Sequence, residues 1–199
     1  MKKAIIIILL TVLTFGSAHS QYRLGFRGSF NISSLSTGSS KSRAGFSAGA
    51  MYSKEIADHW YFQPALLYNL EGSKSVSRFK PAYSAYTYNL EVPLIMSRRM
   101  GDEDISFGLD FGPFFKYGLH GGYWVDDLTT GERTRPNIFD HKKRFDVGPQ
   151  VGFSVIVYSL YIGYSFQFGM IRAWDDASNR RGNYYNSCMT FGYLFQMGN

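Results

Sequence analysis

The stretch SLYIGYSFQFGM, Ser159 to Met170, decides the fold. Alternate residues fall into two sets. Leu160, Ile162, Tyr164, Phe166, Phe168 and Met170 are large and apolar; Ser159, Tyr161, Gly163, Ser165, Gln167 and Gly169 are mostly small or polar. A strand places successive side chains on opposite faces, so the stretch reads as a strand with one oily face and one lean one.

Seven more segments repeat the pattern. They are YRLGFRGSFNI from Tyr22, GFSAGAMYS from Gly45, WYFQPALLYNLE from Trp60, YTYNLEVPLIMS from Tyr86, ISFGLDFGPFFKY from Ile105, FDVGPQVGFSVIV from Phe145 and YNSCMTFGYLFQM from Tyr185. One alternating segment is a weak signal; eight with the same chemistry are a strong one. An even set of antiparallel strands, each about ten residues long, is what a transmembrane barrel requires. In lipid every backbone polar group needs a partner within the protein, which a closed barrel provides. The expected fold is therefore all-β, an eight-stranded antiparallel transmembrane β-barrel of up-and-down order.

The lean face decides which way the barrel turns. It carries glycines together with Arg23, Arg27, Glu71, Glu91, Asp110, Lys116 and Asp146. Charge on that face and Phe, Tyr, Leu and Val on the other fit a lean lumen and an oily exterior. A soluble barrel has the opposite arrangement. The seven charged groups are expected to form a lumen network that joins opposite walls, since a buried unpaired charge is costly. An eight-stranded interior can be filled by side chains, so no open pore is expected.

The N-terminus gives an address. MKKAIIIILLTVLTFGSAHSQ has a basic head, an apolar run too short to span a bilayer comfortably, and small residues ahead of Gln21. It reads as a cleaved secretory signal peptide over 1–20, followed by one barrel domain over 21–199. Cys188 is the sole cysteine, so the chain cannot form an intramolecular disulfide. Short connections (KEIADH, RRMGDED, YS) alternate with long ones (SLSTGSSKSR, GSKSVSRFKPAYSA, GLHGGYWVDDLTTGERTRPNIFDHKKR, RAWDDASNRRGNY). Outer-membrane barrels have short periplasmic turns and longer external loops, which places the first strand running outward. Tyr22, Tyr52, Trp60 and Tyr158 then fall near the inner rim, and Tyr86, Tyr117 and Tyr185 near the outer rim, as two aromatic girdles.

Several functions are not supported by the sequence. His120, Asp126, Asp127, Asp140 and His141 share one long connection, but the two histidines lack a ligand spacing, so no metal site and no catalytic residue is assigned. GLHGGYW follows a strand but opens no helix, so it is not a nucleotide loop. The 21 Lys and Arg exceed the 15 Asp and Glu, giving a net charge of +6. The excess is spread over the long connections, in Lys41, Arg43, Lys74, Lys143 and Arg144 among others. It suits the phosphates of outer-membrane lipids and lipopolysaccharide rather than nucleic acid. No cofactor is expected.

The ordered pieces GFSAG (45–49), FQPALLY (62–68), NLEVPL (89–94), GPF (112–114), FDVG (145–148) and FGYLF (191–195) resemble the PorT-like outer-membrane barrel family of Bacteroidetes. The resemblance spans nearly all of the mature chain, with LEVPL its most specific part. It implies an eight-stranded barrel, an outer-membrane address and, for one named member, a place in a protein-secretion system; it implies no catalytic residues. Three functional readings follow: a structural or interaction barrel working through its loops and an envelope protein partner, a component of a secretion or surface-assembly apparatus, and a lipid-A-modifying enzyme.

Overall fold

The computed structural model describes residues 22–36, 40–77, 80–102, 104–126, 133–134, 137–140, 143–171 and 182–197. The strands are β1 (Tyr22–Leu35), β2 (Ser40–Ala57), β3 (Trp60–Ser77), β4 (Lys80–Gly101), β5 (Ile105–Asp126), the two-residue β6 (Arg133–Thr134), β7 (Phe145–Val157), β8 (Leu160–Phe168) and β9 (Tyr184–Met197). Each long strand pairs antiparallel with its chain neighbours. β1 closes on β9, with Arg27 opposite Gly192, so β1–β5 and β7–β9 form a closed eight-stranded barrel. β6 pairs with the far end of β5. Closure leaves no strand edge to be satisfied by lipid.

The polarity is inside-out. On β1, Phe26 is 67% and Phe30 71% exposed, while Arg27, Ser29, Asn31 and Ser33 between and beyond them are buried. The same alternation runs through β3, where Gln63, Asn69 and Glu71 are buried and Leu66 and Tyr68 exposed. It recurs on β8, where Ser165 and Gln167 are buried and Phe166 and Phe168 exposed. A period of two is thus enough to sort the lumen from the hydrocarbon face.

One end of the barrel carries the tight connections and is called here the turn end; the other is the loop end. Asp58–His59 and Tyr158–Ser159 are two-residue turns. His59 (φ 60°) and Tyr158 (φ 56°) take the left-handed conformation that such reversals require. At the loop end the structure corrects the expected connections. SLSTGSSKSR contracts to residues 36–39, because β1 runs to Leu35 and β2 starts at Ser40. GSKSVSRFKPAYSA is almost wholly strand, with only 78–79 between β3 and β4. At the turn end β4 likewise absorbs Arg98–Gly101 of the expected turn. Backbone pairing continues where apolar alternation stops, because a ladder outside the hydrocarbon needs no oily face. β4 and β5, each 22 residues long, therefore stand well beyond what a bilayer requires, whereas β8, with nine, is near the minimum.

Candidate functional site

The lumen is built in layers. Near its loop-end half lies a polar cluster around Lys116. Lys116 Nζ donates to Glu71 Oε2 at 3.1 Å and to Gln167 Oε1 at 2.8 Å, and lies 3.7 Å from Glu91 Oε2. Asn69 Nδ2 donates to Glu91 Oε2 at 2.6 Å, and Asn31 Nδ2 to Asn69 Oδ1 at 2.7 Å. Gln167 Nε2 donates to Glu91 Oε1 and, at 3.0 Å, to Gln150 Oε1; Asn186 Nδ2 donates to Glu71 Oε2 at 3.0 Å. These side chains come from every barrel strand except β2. All are at least nine-tenths buried, so the hydrogen bonds of the cluster are made between strands rather than to water.

The loop end is capped. The segment between β5 and β7 turns inward as a short 3-10 helix, Ile138–Asp140. Ile138 is fully buried against Leu35, Ala85 and Tyr184, with Phe139 beside them. Two β5 glycines provide the bed. A Cβ on Gly118 would collide with the Phe139 ring, and one on Gly121 would meet the Tyr86 carbonyl at 2.5 Å and Ile138 Cγ2 at 2.9 Å. Arg144 lies over the Phe139 ring at 4.2 Å and donates through Nη1 to the carbonyls of Gly118 (3.1 Å) and Leu119 (3.2 Å). Below the cap, Glu71, Asn89, Lys116, Asp146 and Tyr184 border a cavity of about 10 Å³, room for roughly one water.

Toward the turn end the lining changes. Met51, Ala65, Leu67, Ile156, Tyr161 and Leu194 form an apolar layer. Among them stand Arg27, 8% exposed, and Asp110, 7% exposed, whose Oδ2 accepts from the Tyr161 hydroxyl at 3.1 Å. Arg99 is 6% exposed; it donates to Ser53 Oγ at 2.9 Å and stacks its guanidinium 3.7 Å from the Tyr61 ring. Arg23 reaches the rim, where Nη1 donates to the Tyr158 carbonyl at 3.2 Å. Asp146 sits at the loop end, with Oδ1 accepting from the Val147 and Ile171 amides.

The charged residues that the sequence groups together therefore separate. Lys116, Glu71 and Glu91 are joined; Arg23, Arg27, Asp110 and Asp146 stand apart from them and make no ion pair among the described residues. Arg99 is a lumen residue that the sequence reading leaves in a turn. Extending the inward series 91, 93, 95, 97 by one step reaches it. Ile138 carries no comparable local signal.

On the exterior, Tyr22 stacks on Tyr52 with ring centroids 6.1 Å apart. Trp60 meets Phe111 edge-on at 5.9 Å, under the Arg98 guanidinium. Tyr158 is 65% exposed at the turn end. Tyr117 and Tyr185 are exposed toward the loop end, Tyr185 against Phe168. Tyr86 is only 9% exposed, packed edge-on to Tyr88 and beneath Arg43, whose guanidinium lies 5.5 Å from its ring. His120 stacks on Tyr88 at 4.4 Å and meets the Tyr68 hydroxyl at 3.3 Å. Asp127 and His141 lie outside the described residues, as do 1–21 and 172–181. Among the described residues no three His, Cys, Asp or Glu side chains converge as a metal site would need.

A closed antiparallel barrel, oily outside and polar within, with a side-chain-filled lumen, is an outer-membrane barrel. The family model for the outer membrane protein beta-barrel domain matches residues 17–173. The chain belongs to that family and resides in the outer membrane. Similar solved structures include Ail of Yersinia pestis, determined in complex with the heparin analogue sucrose octasulfate: 11% identity, covering 88% of this chain and 99% of that one, TM-score 0.46. Neisserial surface protein A is 13% identical over 88% of this chain and 97% of its own, TM-score 0.44. OprG of Pseudomonas aeruginosa is 11% identical over 89% and 96%, TM-score 0.44. A search of curated proteins finds no match.

Proposed function

We propose that this protein is a non-conducting structural or interaction barrel whose working surface is its loop end, facing outward. The observation that supports this most is the filled lumen. The Lys116 cluster ties seven strands together, and Ile138 closes the mouth above it. The tall β3–β4–β5 wall then presents a rigid platform beyond the membrane, where loop residues commonly carry function. Described cations at that end include Lys41, Arg43, Lys74, Lys143 and Arg144, which favour the phosphates of lipopolysaccharide or an acidic face of an envelope protein. Crosslinking intact envelopes through these residues tests the reading: a specific protein or lipopolysaccharide adduct, lost when the loop-end lysines are replaced, is the expected result. Adducts only to turn-end residues contradict it.

Membership of a secretion or surface-assembly apparatus is a second reading, supported by the PorT-like run Leu90–Leu94. Co-purification of the same partners under stringent detergent washing is its expected signature. The export address rests on a signal peptide removed ahead of Gln21. The intact mass of the protein from outer membranes checks it, and retention of Met1–Ser20 contradicts it.

A further inference from the structure

We propose that the turn-end half of the lumen is a binding site for a small oxyanion, a carboxylate or a phosphate, held by Arg27. Three observations converge on it. Arg27 is more than nine-tenths buried, yet it makes no hydrogen bond and no ion pair among the described residues, and its Nε is without a partner. A buried guanidinium left in that state is expensive, and a fork of N–H donors matches carboxylate and phosphate geometry.

The charges of the lumen are also divided by height. At the loop end Lys116 faces Glu71 and Glu91, and Asp146 above them lines one cavity with Lys143 and Arg144. At the turn end Arg23, Arg27 and Arg99 share the lumen with Asp110 and the half-buried Glu55, whose Oε2 accepts from Tyr61, an excess of cations. Asp110 does not neutralise either buried arginine directly. No nitrogen of Arg27 or Arg99 comes within ion-pair distance of it, and its Oδ2 is taken by Tyr161.

Finally, the strands beside Arg27 offer it no cross-strand side-chain partner. Arg27 is flanked by glycine on both neighbouring strands, Gly49 on β2 and Gly192 on β9, so no side chain clamps its stem. Other unpartnered buried atoms lie at the same end: Gln63 Nε2, Arg99 Nε, Ser97 Oγ, Ser154 Oγ and Asp110 Oδ1. The Ser97 and Ser154 hydroxyls lean over the bare Gly108 with Asp110 Oδ1 beside them. The donors in this set, Gln63 Nε2, Arg99 Nε and the two hydroxyls, suit an anion, whereas Asp110 Oδ1 only accepts and takes no part in holding it. The proposal depends on the lumen and not on which side of the membrane the turn end faces.

The folded protein in detergent is titrated with sodium phosphate and, separately, sodium acetate, at ionic strength held constant with chloride, and followed by thermal unfolding and calorimetry. Saturable stabilisation by either anion is expected, and which anion acts tells phosphate from carboxylate chemistry. Arg27→Gln is expected to weaken binding by about tenfold or more, the loss of a charge-assisted hydrogen bond. Arg27→Lys, which keeps the charge, is expected to retain weaker saturable binding and stands in should Arg27→Gln fail to fold. No saturable effect of either anion, or an unchanged one in the Arg27 variants, overturns the proposal.

Discussion

At the scale of single residues, the cost of burying charge governs what can be changed. Lys116 serves two carboxylates at once, Glu71 and Glu91, and all three are almost fully buried. Lys116→Met leaves two like charges facing each other without a cation, and should cost about 3–5 kcal/mol. Reversible urea unfolding in lipid vesicles checks this, with the exposed Tyr117→Ala as a comparison expected to lose less. His59 presents the opposite case. Its left-handed backbone strains any residue with a Cβ, so His59→Gly should gain about 0.5–1 kcal/mol net of glycine's own entropy cost. The same unfolding assay reads it. Both residues were visible in the sequence to different degrees: Lys116 by its parity on an oily strand, His59 only as part of a short polar connection.

At the scale of elements, most of the barrel could be read in advance, because a period of two is a local property. Each segment announces its own inward and outward sets, and the eight strands follow. Local alternation does not say where a strand stops. Ser73, Lys74 and Ser84 continue the ladder after the oily pattern fades, so expected loops became strand. Nor does it report contacts between distant segments. The cap of Ile138 on Leu35, Ala85 and Tyr184 joins four separate parts of the chain, and Gly118 makes sense only once Phe139 is docked on it. Gly118→Val, whose side chain meets the Phe139 ring, should push the cap out of the mouth. Amide exchange at Ile138 and Phe139 should then quicken by at least about tenfold, while the strands keep their protection. Unchanged exchange would mean that the cap does not depend on that bed.

At the scale of the whole molecule, the lumen is a stack: a capped loop end, the Lys116 cluster, then an apolar layer interrupted by arginines. Composition could give the number of lumen charges but not their separation by height, which depends on the register of all eight strands. The stack should not conduct. Planar-bilayer recordings are expected to show no steady channel of nanosiemens order, for the native protein and for Gly118→Val alike, since removing the cap leaves the layers beneath. The central claim remains the outward direction of the oily face, and adjacent residues of one strand test it most directly. With Cys188 replaced by Ser, a spin label at Phe30→Cys or at Ser29→Cys is examined in lipid vesicles for collision with oxygen and with a water-soluble nickel reagent. The label at position 30 should meet oxygen freely and nickel hardly at all, and the label at position 29 should be shielded from lipid. Equal oxygen access at both, or the reverse order, would contradict an inside-out barrel.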